Sequence, residues 1–462
     1  MTKEKYRMTR INKTNALHVR TAIVAAIIAL TAAAAAPVAA QTTHYARPKA
    51  DCGGNTPCYA AIQDAINASV NNDTILVLPG MYNEAINYNG KTIELRSTDG
   101  PEVTTITAEG LKTRAVDVPA GSGTGTALEG FTITGGVSTA GEIPANTGGG
   151  IRVLEATLKV IDCVIENNES TWGGGLAILN EAIVTVESTQ LYGNAASSAG
   201  GGAIVFSNAS AEFTNCLFEN NSALFGGGID VNTTGVVTLD ACAFIGNEAE
   251  SSGGGALVIM NTSAAFTNCL FENNIAELGG GGIHLNQNSI ATFDACEFTG
   301  NQADSGGGAI FTWITLSEFT NCLFQNNIAE SGGGLNLFAS GGIFSNTVSV
   351  TSSEIVGNSA TEEGGGVFIE PGSELNLGTT TVCGNLPANI TGVFNDLGDN
   401  TIANECPNPA DLNDDGVVNV FDLLILLENW GECADPSDCP ADLNNDGTVN
   451  VFDLLILLEN WG

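Results

Sequence analysis

FTNCLFENN, Phe213 to Asn221, is the stretch on which the fold turns. The same nine residues return at Phe266 to Asn274, and again at Phe319 to Asn327 with Gln325 in place of the glutamate. A glycine triplet follows each copy, at Gly226 to Gly228, Gly279 to Gly281 and Gly332 to Gly334. Weaker copies lie between them, LDACAFIGN from Leu239 and FDACEFTGN from Phe293. The closing asparagine recurs as Asn168, Asn194, Asn221, Asn247, Asn274, Asn301, Asn327, Asn358 and Asn385, at spacings of 26, 27, 26, 27, 27, 26, 31 and 27 residues. A fixed period of this size means stacked units, none of which can bury its apolar side alone.

From Gly148 each unit reads as a glycine triplet, a short apolar run such as AIVF or LAIL, a polar turn, a second run such as EFTNCLF, then NN and a polar loop. The runs are too short for helices, are bounded by Gly and Asn, and alternate apolar with polar residues, as strands with one face inward do. Two or three strands per unit fit one coil of a parallel β-helix, with about eleven or twelve coils in all. A β-propeller needs roughly 40–45 residues per blade, so the period argues against it.

Equivalent positions then stack as ladders. One reads Cys163, Thr189, Cys216, Cys242, Cys269, Cys296, Cys322, Ser353, Thr380. The interchange with Ser and Thr marks a site for a small, mildly polar, inward side chain. Parallel in-register neighbours have the wrong dihedral for a disulfide, so these read as buried thiols. The asparagine ladder reads as a turn device, because Asn tolerates left-handed backbone and its amide can bond the next Asn along the stack.

These segments carry a resemblance. GGGAI at Gly200 and Gly306, alternating with FENN, FQNN and FTGN, resembles the Pmp-type repeats of right-handed parallel β-helices, a fold shared with the pectin-lyase-like superfamily. The resemblance spans about Tyr59 to Cys406. It implies fold more than activity, since that scaffold hosts polysaccharide lyases, glycosidases and adhesins.

Residues 1–40 carry a basic start (Lys3, Lys5, Arg7, Arg10, Lys13, Arg20), an apolar run TAIVAAIIALTAAAAA and a small-residue exit before Gln41, the pattern of a bacterial Sec-type signal peptide. The expected product is secreted or held at the cell surface, with no transmembrane segment. Without residues 1–40 the chain has 50 acidic against 8 basic residues, a net charge of −42, and no Lys or Arg after Lys159. Nucleic acid is thereby excluded as a partner. A polyanionic glycan would be repelled unless a cation bridged it.

The β-helix is expected over residues 41–406. Cys52 and Cys58 bracket a short loop and are disulfide candidates. Tyr59 to Val70 has helical spacing and is expected to cap the open end of the stack. After Asn385 the repeat stops, and Cys383 and Cys406 are candidates for a closing disulfide.

Residues 407–462 form a separate module after the linker Pro407 to Ala410. Asp411 to Gly431 and Asp442 to Gly462 are a duplication that shares NVFDLLILLENWG. Each half opens on alternate oxygen ligands around a tight glycine turn: Asp411, Asn413, Asp415, the Val417 carbonyl, Asn419 and Asp422, then Asp442, Asn444, Asp446, the Thr448 carbonyl, Asn450 and Asp453. Such loops wrap a hard cation, so two Ca²⁺ ions are expected. With a helix after each loop the module looks like a type I dockerin. That resemblance implies calcium-dependent docking onto a cohesin-like module or another protein. Cys433 and Cys439, between the halves, are a third candidate pair. Many dockerins carry Ser-Thr where this chain has Val420-Phe421 and Val451-Phe452, either a docking face or core between the helices, with the phenylalanines taken as core.

Catalysis on this fold would need carboxylates beside a base. The regular coils have no Lys or Arg after Lys159, and Asp230, Asp240 and Asp294 are expected to be solvated or turn-bonded, with His284 on a strand surface or packed. The irregular coils hold Lys91, Arg96, Lys112, Arg114, Asp117 and Arg152. The expected function is a secreted, non-catalytic β-helix binding a glycan or cell-surface ligand and attached through its tail. The alternative is a polysaccharide-degrading enzyme of the same fold.

Overall fold

The computed structural model describes residues 41–339, 346–413, 415–433, 439–444 and 446–462. The signal-peptide expectation for residues 1–40 lies outside the described residues. Residues from Thr43 to Ala403 wind as a right-handed parallel β-helix whose strands stack into four sheets of 15, 13, 9 and 12 strands. The second sheet counts 13 coils, more than the repeat spacing suggested, because irregular coils precede and follow the regular ones. Each regular coil has four strands rather than two or three. In the coil that holds FTNCLFENN they are Ser210–Thr214, Leu217–Glu219, Ser222–Phe225 and Ile229–Asn232, one in each sheet.

Strand alternation sends Ala211, Phe213, Phe218, Ile229 and Val231 into the central core. Repetition places like on like. Phe218, Phe244, Phe271, Phe298 and Phe324 stack with centroids 4.5–5.0 Å apart and rings nearly parallel. Phe266, Phe293 and Phe319 form a second stack, meeting the first edge-on. Each buried ring contributes roughly 1.5–3 kcal/mol by burial and each pair about 0.5–1.5 kcal/mol more.

The asparagine ladder closes the corner between the second and third sheets. Asn194 Nδ2 donates to Asn221 Oδ1 at 3.1 Å and to the Ile165 carbonyl at 2.8 Å, while its backbone N–H donates to the same Asn221 Oδ1 at 3.0 Å. The pattern runs to Asn385, whose partner is Asn389. The left-handed residue is not the ladder asparagine but the one before it, alternately Asn and Gly: Asn220 has φ +53° and Gly246 φ +60°. A two-coil period results, which is why the strong copies of the motif recur 53 residues apart at Phe213, Phe266 and Phe319.

The N-terminal helix is shorter than expected, Ile62–Ala68, and does not precede the first strand. Thr43–Ala46 and Cys58–Tyr59 end the first sheet, and a Cys52–Cys58 disulfide closes the loop between them. Ile62, Ala65 and Ile66 of the helix are buried in the core. Glu84 accepts from its first amides, Ile62 and Gln63, and Lys91 Nζ donates to the carbonyls of Ile66, Asn67 and Ser69 at its other end. These charges complement the helix dipole. Beyond Asn385 the winding continues through Ile390–Thr391, Asn395–Asp396 and Thr401–Ala403, and Cys383 pairs with Cys406.

In the C-terminal module, helices Val420–Glu428 and Val451–Glu459 pack around Ala410, Val418, Leu426, Ala441, Val449 and Leu457. Gly431–Glu432 pairs antiparallel with Thr448–Val449, and Cys433 is bonded to Cys439. Among the described residues, no helix is long and apolar enough to cross a membrane.

Candidate functional site

The outward row of the fourth sheet gathers the chemistry that the sequence scattered. Asn87, Asp117, Arg152, Ala177, Ile204, Asp230, Leu257, His284, Phe311, Asn336 and Phe368 are consecutive register partners along it. Alternation alone would leave this row in solvent, since Ile229 and Val231 face the core. The glycine triplets change that. Gly226, at φ +60°, turns the chain back over the row, and a Cβ there would lie 3.1 Å from the Cβ of Asp230. The row therefore floors a groove whose opposite wall comes from the ends of the third-sheet strands, including Trp172, Ala199, Phe225 and Ser252.

A cavity of about 350 Å³ lies in this groove, bordered by Asp230, Asn232, Leu257, His284 and Asn286. Asp230 is 1% exposed, and neither of its carboxylate oxygens has a hydrogen-bond partner among the described residues. His284 is 9% exposed, and neither ring nitrogen has one. Trp313 Nε1 and Asn336 Oδ1, on the same face of the sheet, are also without a partner among the described residues. Of the eleven such buried atoms among the described residues, six sit on this one face. Buried polar groups are ordinarily paired, so a concentration of unpaired ones marks a surface built to meet something else. Burial pushes the Asp230 carboxyl up to about 7, with the nearby Asn232 opposing, and burial pushes His284 down to about 4. Asp230 is thus neither solvated nor turn-bonded, as the sequence suggested, whereas Asp240 and Asp294 do accept from the side chains of Asn268 and Asn321.

Four strands from Asp230 in the row, Asp117 takes a bidentate pair from Arg152 at 2.7 and 3.0 Å and a bond from Asn87 at 2.8 Å. Arg152 also donates to the Pro144 carbonyl, and Arg114 to Thr147 O, Ala145 O and Ser138 Oγ. Burial and the neighbouring Arg152 lower Arg114 to about 10. Both guanidiniums are spent on holding the segment 138–147 against this end of the groove. Arg96 pairs with Glu129. A larger dish of about 500 Å³, bordered by Glu155, Glu181 and Asn208, has no unpartnered buried atom among those residues.

The two loops of the C-terminal module have one geometry. Asp411 accepts from the amides of Asp415 (3.1 Å) and Gly416 (2.7 Å), Asp415 from Val417 (3.1 Å), and Asp422 from Asn413 (3.2 Å) and Asn419 (2.8 Å). Asp442, Asp446 and Asp453 repeat this with Asp446, Gly447, Thr448, Asn444 and Asn450. Asp411 and Asp422, like Asp442 and Asp453, hold one backbone amide on each carboxylate oxygen. Burial opposes the charge of Asp422, but the amides of Asn419 and Asn413 outweigh it and hold its carboxyl below the usual range. An all-oxygen donor set with Gly416 and Gly447 at φ +88° and +86° fits a hard divalent cation. Asn419 and Asn450 each also cap a helix, accepting from the Phe421 or Phe452 amide and donating to the Val417 or Thr448 carbonyl. The phenylalanines are not core. Phe421 and Phe452 are each 60% exposed, in stripes with Leu424, Leu427 and Trp430 and with Leu455, Leu458 and Trp461.

The family model described as right handed beta helix region matches residues 91–271 and 227–405, and that of the dockerin type I domain matches 409–460. Type I dockerin domains bind calcium and imply a cohesin-type protein partner. No curated protein matches the chain. Among solved structures, a pectate lyase aligns at 13% identity and TM-score 0.38, over 58% of this chain and 77% of that one. The catalytic unit of an α-1,3-glucanase from Streptomyces thermodiastaticus aligns at 14% and 0.43, over 74% and 65%. A tailspike protein of an Acinetobacter baumannii bacteriophage, a capsular polysaccharide depolymerase, aligns at 14% and 0.32, over 75% and 60%. The chain thus spans less than two thirds of the latter two, and similarity at this level carries no inference about activity.

Proposed function

We propose, for a chain that belongs to the right-handed β-helix family and ends in a type I dockerin domain, that it is a secreted, non-catalytic scaffold. The fourth-sheet groove holds a glycan, and the calcium-loaded tail fixes the molecule to a cohesin-like module or a similar protein. The observation that carries the glycan reading is the set of four buried polar atoms, on Asp230 and His284, that border the cavity without a hydrogen-bond partner among the described residues. Sugars present many hydroxyls to such groups, and the neighbouring aromatic and aliphatic walls suit the apolar faces of sugar rings. The commitment of Arg114 and Arg152 to Asp117 and to backbone carbonyls favours binding over catalysis.

The enzymatic reading has one observation in its favour, the Asp230 carboxyl raised into the range of a general acid. A glycan panel scored for both retention and reducing-end or unsaturated products separates the two. Product release by the wild type that Asp230→Asn abolishes would replace the binding reading with the enzymatic one.

In the tail, Asp411, Asn413, Asp415 and Asp422 with the Val417 carbonyl would hold one Ca²⁺, and Asp442, Asn444, Asp446 and Asp453 with the Thr448 carbonyl the other. The ion would neutralise the clustered carboxylates and stiffen each loop. The two exposed apolar stripes are near copies, so a partner can dock on either. Calorimetry on the full chain should show two Ca²⁺ bound, falling to one in Asp415→Ala and to none in the Asp415→Ala/Asp446→Ala pair. Phe421→Ala or Phe452→Ala alone should leave partner binding, and both together should remove it. Unchanged Ca²⁺ uptake by the loop pair would refute the tail assignment.

A further inference from the structure

We propose that the groove selects a glycan with free amino groups, and that Asp230 receives the protonated amine of a non-acetylated amino sugar. This rests on the reading of the groove as a glycan site and goes one step beyond it. Asp230 lies in the cavity wall; among the described residues neither oxygen is paired beyond the approach of the Asn232 side chain, and no Lys or Arg lines the cavity with it. An isolated carboxylate in an apolar surround is costly to keep charged, and the arriving ligand is the means of pairing it. Its surroundings suit a compact organic cation. Phe225 offers an aromatic ring, Leu257 and Met260 apolar walls, and Asn232 an amide.

The rest of the groove suits neutral sugar hydroxyls. His284 is two strands along the row from Asp230, about 10 Å at the usual strand spacing. That is too far for the two to share a metal ion, whose bonds run to roughly 2.0–2.6 Å. It is a span on which one oligosaccharide can place an amine at Asp230 and a hydroxyl at His284 or Asn286. An anionic sugar is disfavoured both here and at long range, because the chain carries a net charge of −37 and no Lys or Arg after Lys159.

The test is calorimetric titration of the full chain at neutral pH and moderate salt with four short oligomers: glucosamine, N-acetylglucosamine, glucose and galacturonic acid. The glucosamine oligomer should bind at least tenfold more tightly than the others. Asp230→Asn should remove that preference, so that the glucosamine and glucose oligomers bind the variant alike. Asp240→Asn, the same charge change on an exposed strand end, should leave the preference intact. Equal binding of the acetylated and free amino sugars overturns the proposal and leaves the glycan reading standing, whereas no binding of any oligomer overturns both. A preference that survives Asp230→Asn reports attraction to the acidic surface as a whole and also overturns it. So does full displacement by a lysine-rich peptide of equal charge, which would make the ligand a peptide.

Discussion

Asn247 and Asp230 are buried polar side chains on adjacent coils, and the fold treats them in opposite ways. Asn247 is fully inside the β-helix, and its amide donates to Asn274 Oδ1 and the Phe218 carbonyl while its Oδ1 receives the Asn221 backbone and side chain. Asp230 is buried just as deeply on the outer face of the fourth sheet, and neither carboxylate oxygen has a hydrogen-bond partner among the described residues. A paired buried amide belongs to the scaffold. An unpaired buried carboxylate costs stability in the free protein, and what it offers is a contact in the bound one.

The comparison predicts opposite signs for two similar substitutions. Asn247→Leu orphans donors on Asn221 and acceptors on Asn274 and Phe218, each worth about 1–3 kcal/mol, so a loss on the order of 5 kcal/mol is expected. The melting temperature followed by circular dichroism should fall steeply. A small fall would mean that neighbouring coils repair the ladder.

Asp230→Asn should stabilise. The folded carboxyl is raised from 3.8 to about 7, so its contribution is fully present below about 4 and is lost as pH rises through 7. At about 1.4 kcal/mol per unit, the variant should gain on the order of 4 kcal/mol over wild type at pH 8 and nothing at pH 3. A destabilised variant at pH 8 would show that the carboxylate has a partner after all. His284 runs the other way. Its folded value is lowered from 6.5 to about 4, so its contribution is present above 6.5 and is lost as pH falls through 4. His284→Gln should match wild type at pH 8 and exceed it by about 3 kcal/mol below pH 4, again at ~1.4 kcal/mol per unit. A pH profile parallel to wild type would remove His284 from the groove's titration.

The interior of this molecule was legible because it repeats. Nine asparagines at near-constant spacing announce the ladder, and the exchange of Cys with Thr and Ser announces the small inward site. The calcium loops were legible because their ligands are close in sequence. The groove was not. IDVN and IHLN show polar residues at the outward positions where LAIL and AIVF are apolar, which was the available signal. Alternation assigns such positions to solvent, and only the backward turn at each glycine triplet buries them. The two phenylalanines lie outside the core for a related reason: two helices of nine residues share so small a core that Phe421 and Phe452 are left exposed.

The cysteine ladder supplies the smallest expected effect and the control for the comparison. Cys269 Sγ lies 3.3 Å from the Thr267 carbonyl and 3.6 Å from that of Leu239. At equivalent positions Thr189 donates to Glu187 O at 3.0 Å and Ser353 to Thr351 O at 2.8 Å, so a hydroxyl already fills this role elsewhere in the stack. Cys269→Ser exchanges one such bond for another and should change stability by about 1 kcal/mol or less. The thiols should also be inert, because all six are buried and a labelling reagent needs access to the sulfur. The native protein should take up no maleimide at its six free cysteines, and the denatured protein should take up six. Labelling in the native state, or a cost for Cys269→Ser approaching that of Asn247→Leu, would place the sulfur column with the asparagines as a determinant of the stack.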